Sequence, residues 1–240
     1  MGKIVQSENY WDQIEENLSE LSENGYTRLP SLECFNLERA YQSISEEMGE
    51  QTYKESGESH GKFLDQIGLR SILGPKLFEL AKKDFGYKGT ISDQYHIARY
   101  VQGGDESESF RAHFDAHLYT LVLPIRIPKV LSEDDTIGDL VFFPHVRKYP
   151  KSELRNIFDK FYFKRYASKT GINRLSKKKL MITENFQSYR PVIFSGLTSL
   201  HANKVVSLNA SGNRLTLLAH FFDPNPNYGI SSLLRLIRSR

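Results

Sequence analysis

In Arg111-Ala112-His113-Phe114-Asp115-Ala116-His117 an imidazole and a carboxylate stand two residues apart. On an extended segment residues i and i+2 project from the same face, so a nitrogen of His113 and an oxygen of Asp115 can grip one metal ion together. A second imidazole on that side would complete a set of two His and one carboxylate. Such a set suits iron(II) and leaves the opposite coordination positions open. His201, in Ser195-Gly196-Leu197-Thr198-Ser199-Leu200-His201, is the leading candidate for the second imidazole, with His145 and His220 as competitors. His117 shares the same spacing with Asp115 and rivals His113. Further on, the turn Gly212-Asn213 feeds a strand that starts with Arg214. A planar guanidinium holds a carboxylate through two parallel hydrogen bonds, which Lys does less well. Thr216, two residues on, faces the same way with a hydroxyl to donate.

The ordered set of His113-x-Asp115, a distant His201 and Arg214-x-Thr216, approached by Ala98-Arg99-Tyr100-Val101-Gln102-Gly103, resembles the iron(II)/2-oxoglutarate-dependent dioxygenases of the prolyl-hydroxylase and phytanoyl-hydroxylase kind. The resemblance spans residues 90–223. It implies a double-stranded β-helix, or jelly roll, with Fe(II) on His113, Asp115 and His201, and O2 and 2-oxoglutarate as cosubstrates. Arg214 and Thr216 would anchor the distal carboxylate of 2-oxoglutarate. Tyr100 would add a hydroxyl near it or else pack in the core. His117 and His220 would lie toward the substrate. The implied reaction is hydroxylation of an unactivated C–H bond of a small molecule or amino acid, with a prolyl-type protein hydroxylase as the alternative. Related halogenases carry a small residue where Asp115 stands, so the carboxylate argues for hydroxylation. Nucleic-acid demethylases of this superfamily usually carry a second Arg six residues after the first. That place holds His220 here, which argues against nucleic acid. From other classes, a non-catalytic metal-binding jelly roll and a protein-binding adaptor remain open.

The elements that must position these residues follow from composition and pattern. A chain of 240 residues, 39% hydrophobic and 25% charged, has ordinary globular composition and length for one large domain. Charge is uneven. Residues 1–60 hold 13 acids against 4 bases, a balance of −9, whereas residues 147–179 hold 12 Lys/Arg against Glu153 and Asp159, a balance of +10. The single Cys34 excludes an internal disulfide and suits a reducing compartment. No apolar run is long enough to span a bilayer. The N-terminal Met-Gly-Lys-Ile-Val-Gln-Ser lacks a signal-peptide core, and Gln6 breaks the myristoylation pattern. A cytoplasmic protein with no membrane partner is expected, its substrate small and possibly anionic. Nothing in the sequence indicates an oligomeric state.

Helical spacing predicts a first helix through Tyr10, Trp11, Ile14, Leu18 and Leu21, stopped by Asn24-Gly25. A second follows Asn36 as cap, and a third runs from Gly74-Pro75 to Gly86. Tyr26 to Leu29 reads as a short strand. The polar residues 49–62 read as a mobile loop. After Phe85 the period becomes extended. Strands are expected over Ile91–Val101, His117–Ile127, Gly138–Phe143, Pro191–Phe194, Leu200–Val206 and Arg214–Phe222, with Pro124 marking an edge or an end. A basic helical insertion covers 149–180, with Leu154, Ile157, Phe158 and Phe161 on one face, and is expected to act as a lid. Ile230, Leu233, Leu234 and Ile237 suggest a final helix. The expectation is an α+β chain: 1–89 as helical support, 90–223 as the barrel core, and 224–240 as a terminal helix, together one catalytic domain.

Overall fold

In the computed structural model the described residues are 9–105, 109–129, 132 and 135–228. Helix α1 (Ile14–Asn24) turns Ile14, Leu18 and Leu21 inward, an i, i+4, i+7 stripe, and ends at Gly25. There φ is 77°, a left-handed conformation natural to glycine. Strand β1 (Tyr26–Arg28) follows. Helix α2 (Leu37–Met48) starts where the Asn36 side chain accepts a hydrogen bond from the Arg39 N–H at 3.0 Å.

The next segment departs from the loop expected at 49–62. It contains strand β2 (Tyr53–Glu55) and the start of helix α3 (Glu58–Gln66). Two long-range contacts order it. β2 pairs with β3 (Gln94–Val101), and the Glu47 carboxylate accepts the Glu58 and Ser59 N–H groups at 2.8 and 2.7 Å. Polar composition did not reveal either contact. A wide helical turn at Leu69–Leu73 leads into α4 (Gly74–Phe85), with Pro75 in its first turn and Gly86 as its left-handed stop.

The strands that follow are β4 (Tyr119–Arg126), β5 (Leu140–Phe143), β6 (Ile182–Glu184), β7 (Val192–Phe194), β8 (Leu200–Asn203) and β9 (Arg214–Phe221). Apart from β6, which falls just past the expected insertion, each begins or ends within a few residues of its expected position. They form a six-stranded antiparallel sheet, β1-β7-β4-β9-β3-β2, and a three-stranded one, β6-β5-β8. His113 bridges His201 and so adds an extended segment beside β8. Counted from β3, the chain passes back and forth between the two layers. Pro124 lies in β4, a central strand. It falls beyond the last pair with β7, Val122↔Val192, and beside a register shift against β9, at an irregularity of the kind that tolerates proline.

Period-2 alternation divides the large sheet into two environments. Tyr119, Leu121 and Leu123 of β4 and Leu215, Leu217 and Phe221 of β9 face the helices and share their core with Ile44, Leu64, Leu73 and Leu77. The intervening residues face the second sheet and line a cavity. The helical layer therefore supplies most of the apolar burial, which leaves the inter-sheet space for polar groups.

The insertion joins β5 to β6 as α5 (Glu153–Phe163) and α6 (Lys169–Ser176), capped by Ser152 and Ser168. Of the expected apolar stripe of α5, Leu154, Phe158 and Phe161 point outward and Ile157 is half-buried. The buried face instead carries Asn156 and Asp159, because Asn156 accepts hydrogen bonds from a buried guanidinium and Asp159 balances its charge. Arg147 donates from Nε to the Leu197 carbonyl at 2.8 Å and from Nη2 to Asn156 Oδ1 at 2.9 Å. It lies 3.7 Å from Asp159 and stacks 3.9 Å from the Phe114 ring centroid. Past β9 a short helical turn, Asn225–Tyr228, is seen; the helix expected through Ile230, Leu233, Leu234 and Ile237 lies outside the described residues.

Breaking a buried ion pair by removing one partner costs about 3–5 kcal/mol. Arg147→Ala is expected to lower stability in urea unfolding by about 3 kcal/mol and to weaken hydrogen-exchange protection across 153–176. Phe158→Ser, on the outward face, should change stability by less than about 0.5 kcal/mol. Equal effects from the two would show that the inward polar face does not hold the insertion.

Candidate metal centre

Two strands that are remote in sequence meet at the centre. The His113 N–H donates to the His201 carbonyl at 3.0 Å, and the His201 N–H returns a bond to His113 at 3.0 Å. Side chains of such a directly opposed pair project from one face, and the two imidazole centroids lie 4.3 Å apart. Each Nδ1 faces the carbonyl two residues upstream: His113 at 2.8 Å from Arg111, His201 at 3.3 Å from Ser199. Donation from Nδ1–H to those carbonyls leaves both Nε2 lone pairs aimed at the open side.

Asp115 occupies that side. Its Oδ1 lies 3.6 Å from His113 Nε2 and 3.5 Å from His201 Nε2. The other oxygen, Oδ2, is engaged elsewhere, accepting a short hydrogen bond from the Thr120 hydroxyl. That hydroxyl is also 3.2 Å from His220 Nδ1. Thr120 and His220 thus orient the carboxylate with one oxygen turned toward the imidazoles. His113, Asp115 and His201 form a group of potential ligand atoms within 4.8 Å of one another. Donors about 2.0–2.2 Å from a shared ion stand at such separations after a small inward adjustment. Nitrogen, nitrogen and carboxylate oxygen on one side is a donor set that fits iron(II) with open positions.

The electrostatics agree. Burial works to raise the Asp115 carboxyl, but His201, His220 and His113 and the Thr120 bond outweigh it and hold the group well below the usual carboxylate range. Burial pushes His201 down to about 4, with Asp115 opposing, so its imidazole is neutral at pH 7. His220 is pushed down by burial as well.

The cavity beside these ligands is about 280 Å³, between the sheets, and Arg214, Thr216 and His220 line it from β9. Arg214 is buried. Its Nη1 donates to the Gly138 carbonyl and, at 3.3 Å, to Asn203 Oδ1, while its Nε has no hydrogen-bond partner among the described residues. Burial and then neighbouring Arg99 lower its pKa to about 10. Asp139, whose charge opposes this lowering, is bonded to Lys204 at 2.9 Å. A desolvated guanidinium without a paired carboxylate, next to a hydroxyl, fits an incoming carboxylate.

A second space of about 610 Å³ opens on the other side of His113. Arg111 and Phe114 line it from the sheet, and Lys160, Phe163 and Lys164 from α5 and its end. His113 and Arg99 border both spaces.

Other expected site residues fall differently. Tyr100 faces the helical core and pairs with Asn213, because cavity-facing positions of β3 are the odd ones; it does not reach the cavity. His117 packs 4.9 Å from Tyr95 and 5.5 Å from His220, outside the ligand group, and burial lowers it to about 4. His145 sits over Gly25 at the end of α1. Three residues escaped sequence reasoning. Thr120 and Arg99 were legible only as strand positions sharing a face with His220 and Thr216. Gly196 was legible only as part of a turn. A Cβ at Gly196 would stand 2.5 Å from Thr120 Oγ1 and 2.9 Å from Asp115 Oδ2, so only glycine lets the turn approach the carboxylate.

Gly196→Ala should therefore displace Asp115, and Thr120→Val should release it. Each is expected to weaken Fe(II) binding about 10–100-fold in anaerobic calorimetry, the usual cost of losing support for a ligand. Unchanged affinity in both would refute the support role. The pH dependence has a definite sign. His60, His117 and His201, all lowered by burial to about 4, take up protons in the unfolded chain near 6.5 but resist them when folded. Their contribution is fully present above about pH 6.5 and lost as pH falls through about 4. The melting temperature of metal-free protein should drop across that window, and less steeply in His60→Gln, which lies away from the centre.

No protein-family model matches the sequence, and no curated protein matches it. Solved structures match in fold. A prolyl 4-hydroxylase from Phytophthora capsici aligns at TM-score 0.52 and 13% identity, over 97% of this chain and 72% of that one. A Pseudomonas putida prolyl-4-hydroxylase aligns at 0.50 and 12%, over 86% and 97%. A Trichoplax adhaerens prolyl hydroxylase, solved with a hypoxia inducible factor oxygen degradation domain peptide fragment, aligns at 0.56 and 12%, over 94% and 95%. At such identities the likeness is one of architecture: this chain has the fold of these prolyl hydroxylases.

Proposed function

We propose that the chain is an Fe(II)/2-oxoglutarate-dependent dioxygenase that hydroxylates a C–H bond of a small, anionic substrate. The observation that carries this reading is the cavity with a His113–Asp115–His201 ligand group at one wall and the buried, carboxylate-free Arg214 at another. With iron bound, the centre would couple oxidation of 2-oxoglutarate by O2 to succinate and CO2 with transfer of one oxygen atom into a substrate C–H bond.

The chain's own residues have separable tasks. His113, Asp115 and His201 would hold the ion. Arg214 and Thr216 would bind the far carboxylate of 2-oxoglutarate in the inner cavity. The primary substrate would occupy the outer space, which His113 and Arg99 also border. Its walls combine apolar Phe114, Phe163 and Leu200 with cationic Arg111, Lys160 and Lys164, a lining suited to an apolar body bearing an acidic group. Packing of α5 over this space would exclude water from the reacting carbon.

Arg214→Lys replaces a fork by a point charge. It should weaken 2-oxoglutarate binding at least tenfold in anaerobic calorimetry while Fe(II) binding persists. His113→Ala should abolish Fe(II) binding. Succinate release would be followed over carboxylate-bearing small molecules, their amides and prolyl peptides. Preference for the carboxylates is expected, whereas turnover of prolyl peptides alone would assign a protein hydroxylase. Binding of neither Fe(II) nor 2-oxoglutarate by the wild-type chain would sink the proposal.

A further inference from the structure

The outward face of α5 has an unusual composition for exposed surface. Leu154, Phe158 and Phe161 stand at i, i+4 and i+7, and are 76%, 62% and 73% exposed. Tyr162 beside them is 48% exposed and carries the Arg165 guanidinium 3.7 Å from its ring centroid. The polar face that would ordinarily meet water is turned inward onto Arg147. The helix is thus amphipathic with its apolar side outermost, next to exposed Lys148, Lys151, Lys164 and Lys169. The surrounding segment, 147–179, has a balance of +10.

We propose that this face docks on an anionic lipid bilayer, with α5 lying in the plane of the interface. A helix with Leu and Phe on one side and Lys and Arg around it binds such a surface through two additive effects. Its apolar side chains enter the headgroup–acyl boundary, and its cations meet anionic headgroups. Leu154 and Phe161 stand out from the surface, while Phe158 and Tyr162 border a space shared with the cations Lys148, Lys151 and Arg155, so that apolar and basic groups meet on one face. A fluid bilayer can accept such a shape without a complementary contour, whereas a stable protein partner needs one over roughly 1,000 Å² or more. Nucleic acid would supply the charge complement but no partner for Leu154, and base stacking needs flat aromatic platforms. This mode requires no spanning segment, in keeping with the absence, among the described residues, of any helix long and apolar enough to cross a membrane. Docking would also bring the outer space to the bilayer surface, since Lys160 and Phe163 of the same helix, and Lys164 at its end, line it.

The test uses the full chain and vesicles of phosphatidylcholine alone or with phosphatidylserine at about a third of the lipid, an anionic surface of the kind that attracts basic segments. Co-sedimentation is expected only with the mixed vesicles. It should weaken at least tenfold between about 0.1 and about 0.5 M salt, because screening acts within about 10 Å at 0.1 M. The double variant Phe158→Glu/Phe161→Glu, at positions with little packing to lose, should keep the parent's circular dichroism and lose binding at least tenfold. The indole introduced by Phe158→Trp, read after subtracting the parent's Trp11 emission, should be red-shifted in buffer and blue-shifted on mixed vesicles. Four results would overturn the proposal. These are no sedimentation with either vesicle; full binding by the double variant; indole emission in Phe158→Trp that is already blue-shifted in buffer, meaning that the chain's own tail or a second copy covers the face; or tighter binding to a single-stranded oligonucleotide than to the mixed vesicles.

Discussion

The reciprocal pair of backbone hydrogen bonds between His113 and His201 is the contact on which the candidate site depends. It attaches the extended segment around His113 to the free side of β8, and it sets both imidazoles on one face without any help from side chains. Asp115, two residues along, falls on that same face. Its own N–H donates to the Gly196 carbonyl at 3.1 Å, so the third member of the group is also placed by backbone. Three main-chain contacts therefore bring the donors together, and the Nδ1 bonds and Thr120 then aim them. A centre built on strands in this way is more rigid than one carried on loops.

The inter-sheet space is expensive to maintain. Asp115, Thr120, His201, Arg214, Thr216 and His220 are all buried there, in a position where a stability-driven core would place apolar residues. Among the described residues the buried Arg214 guanidinium is only partly compensated, by the Gly138 carbonyl and Asn203, with its Nε left unpartnered. The helical layer on the other face of the large sheet offsets this cost. Its contacts with β4 and β9 form the largest apolar cluster, and β9 serves both sides at once, with Leu215 and Leu217 toward the helices and Arg214 and Thr216 toward the cavity. Local violation of core rules beside a well-packed support is the pattern expected of a functional site.

The insertion obeys the same logic in reverse. Arg147, at its root, touches Phe114 between the two candidate ligands His113 and Asp115 and bonds the Leu197 carbonyl beside Gly196. Its need for partners turns Asn156 and Asp159 inward. One buried charge thereby links the mouth of the outer space to the turn that supports Asp115, and forces an apolar stripe onto the surface.

Much of the local structure was legible because its causes are local. Asn36, Gly25 and Gly86 start or stop helices through contacts within a few residues. The His113-x-Asp115 spacing puts two donors on one face of any extended segment, and Arg214-x-Thr216 does the same on β9. What stayed hidden depends on pairing between distant segments. Residues 53–66 are ordered by an edge strand and by Glu47, neither of which leaves a local periodic signal. Tyr100 is one residue out of phase with the cavity, a matter of which face of β3 the helices cover. The choice of His201 over His145 and His220 as the third member follows from the register of β8 against the His113 segment. Thr120, Arg99 and Gly196 enter through that same pairing of distant strands. By itself the sequence determined which side chains share a face, because backbone period is a local property. Only the tertiary structure decided which faces meet, because strand register and helix orientation are settled by contacts between segments far apart in the chain and by the buried charges that those contacts must satisfy.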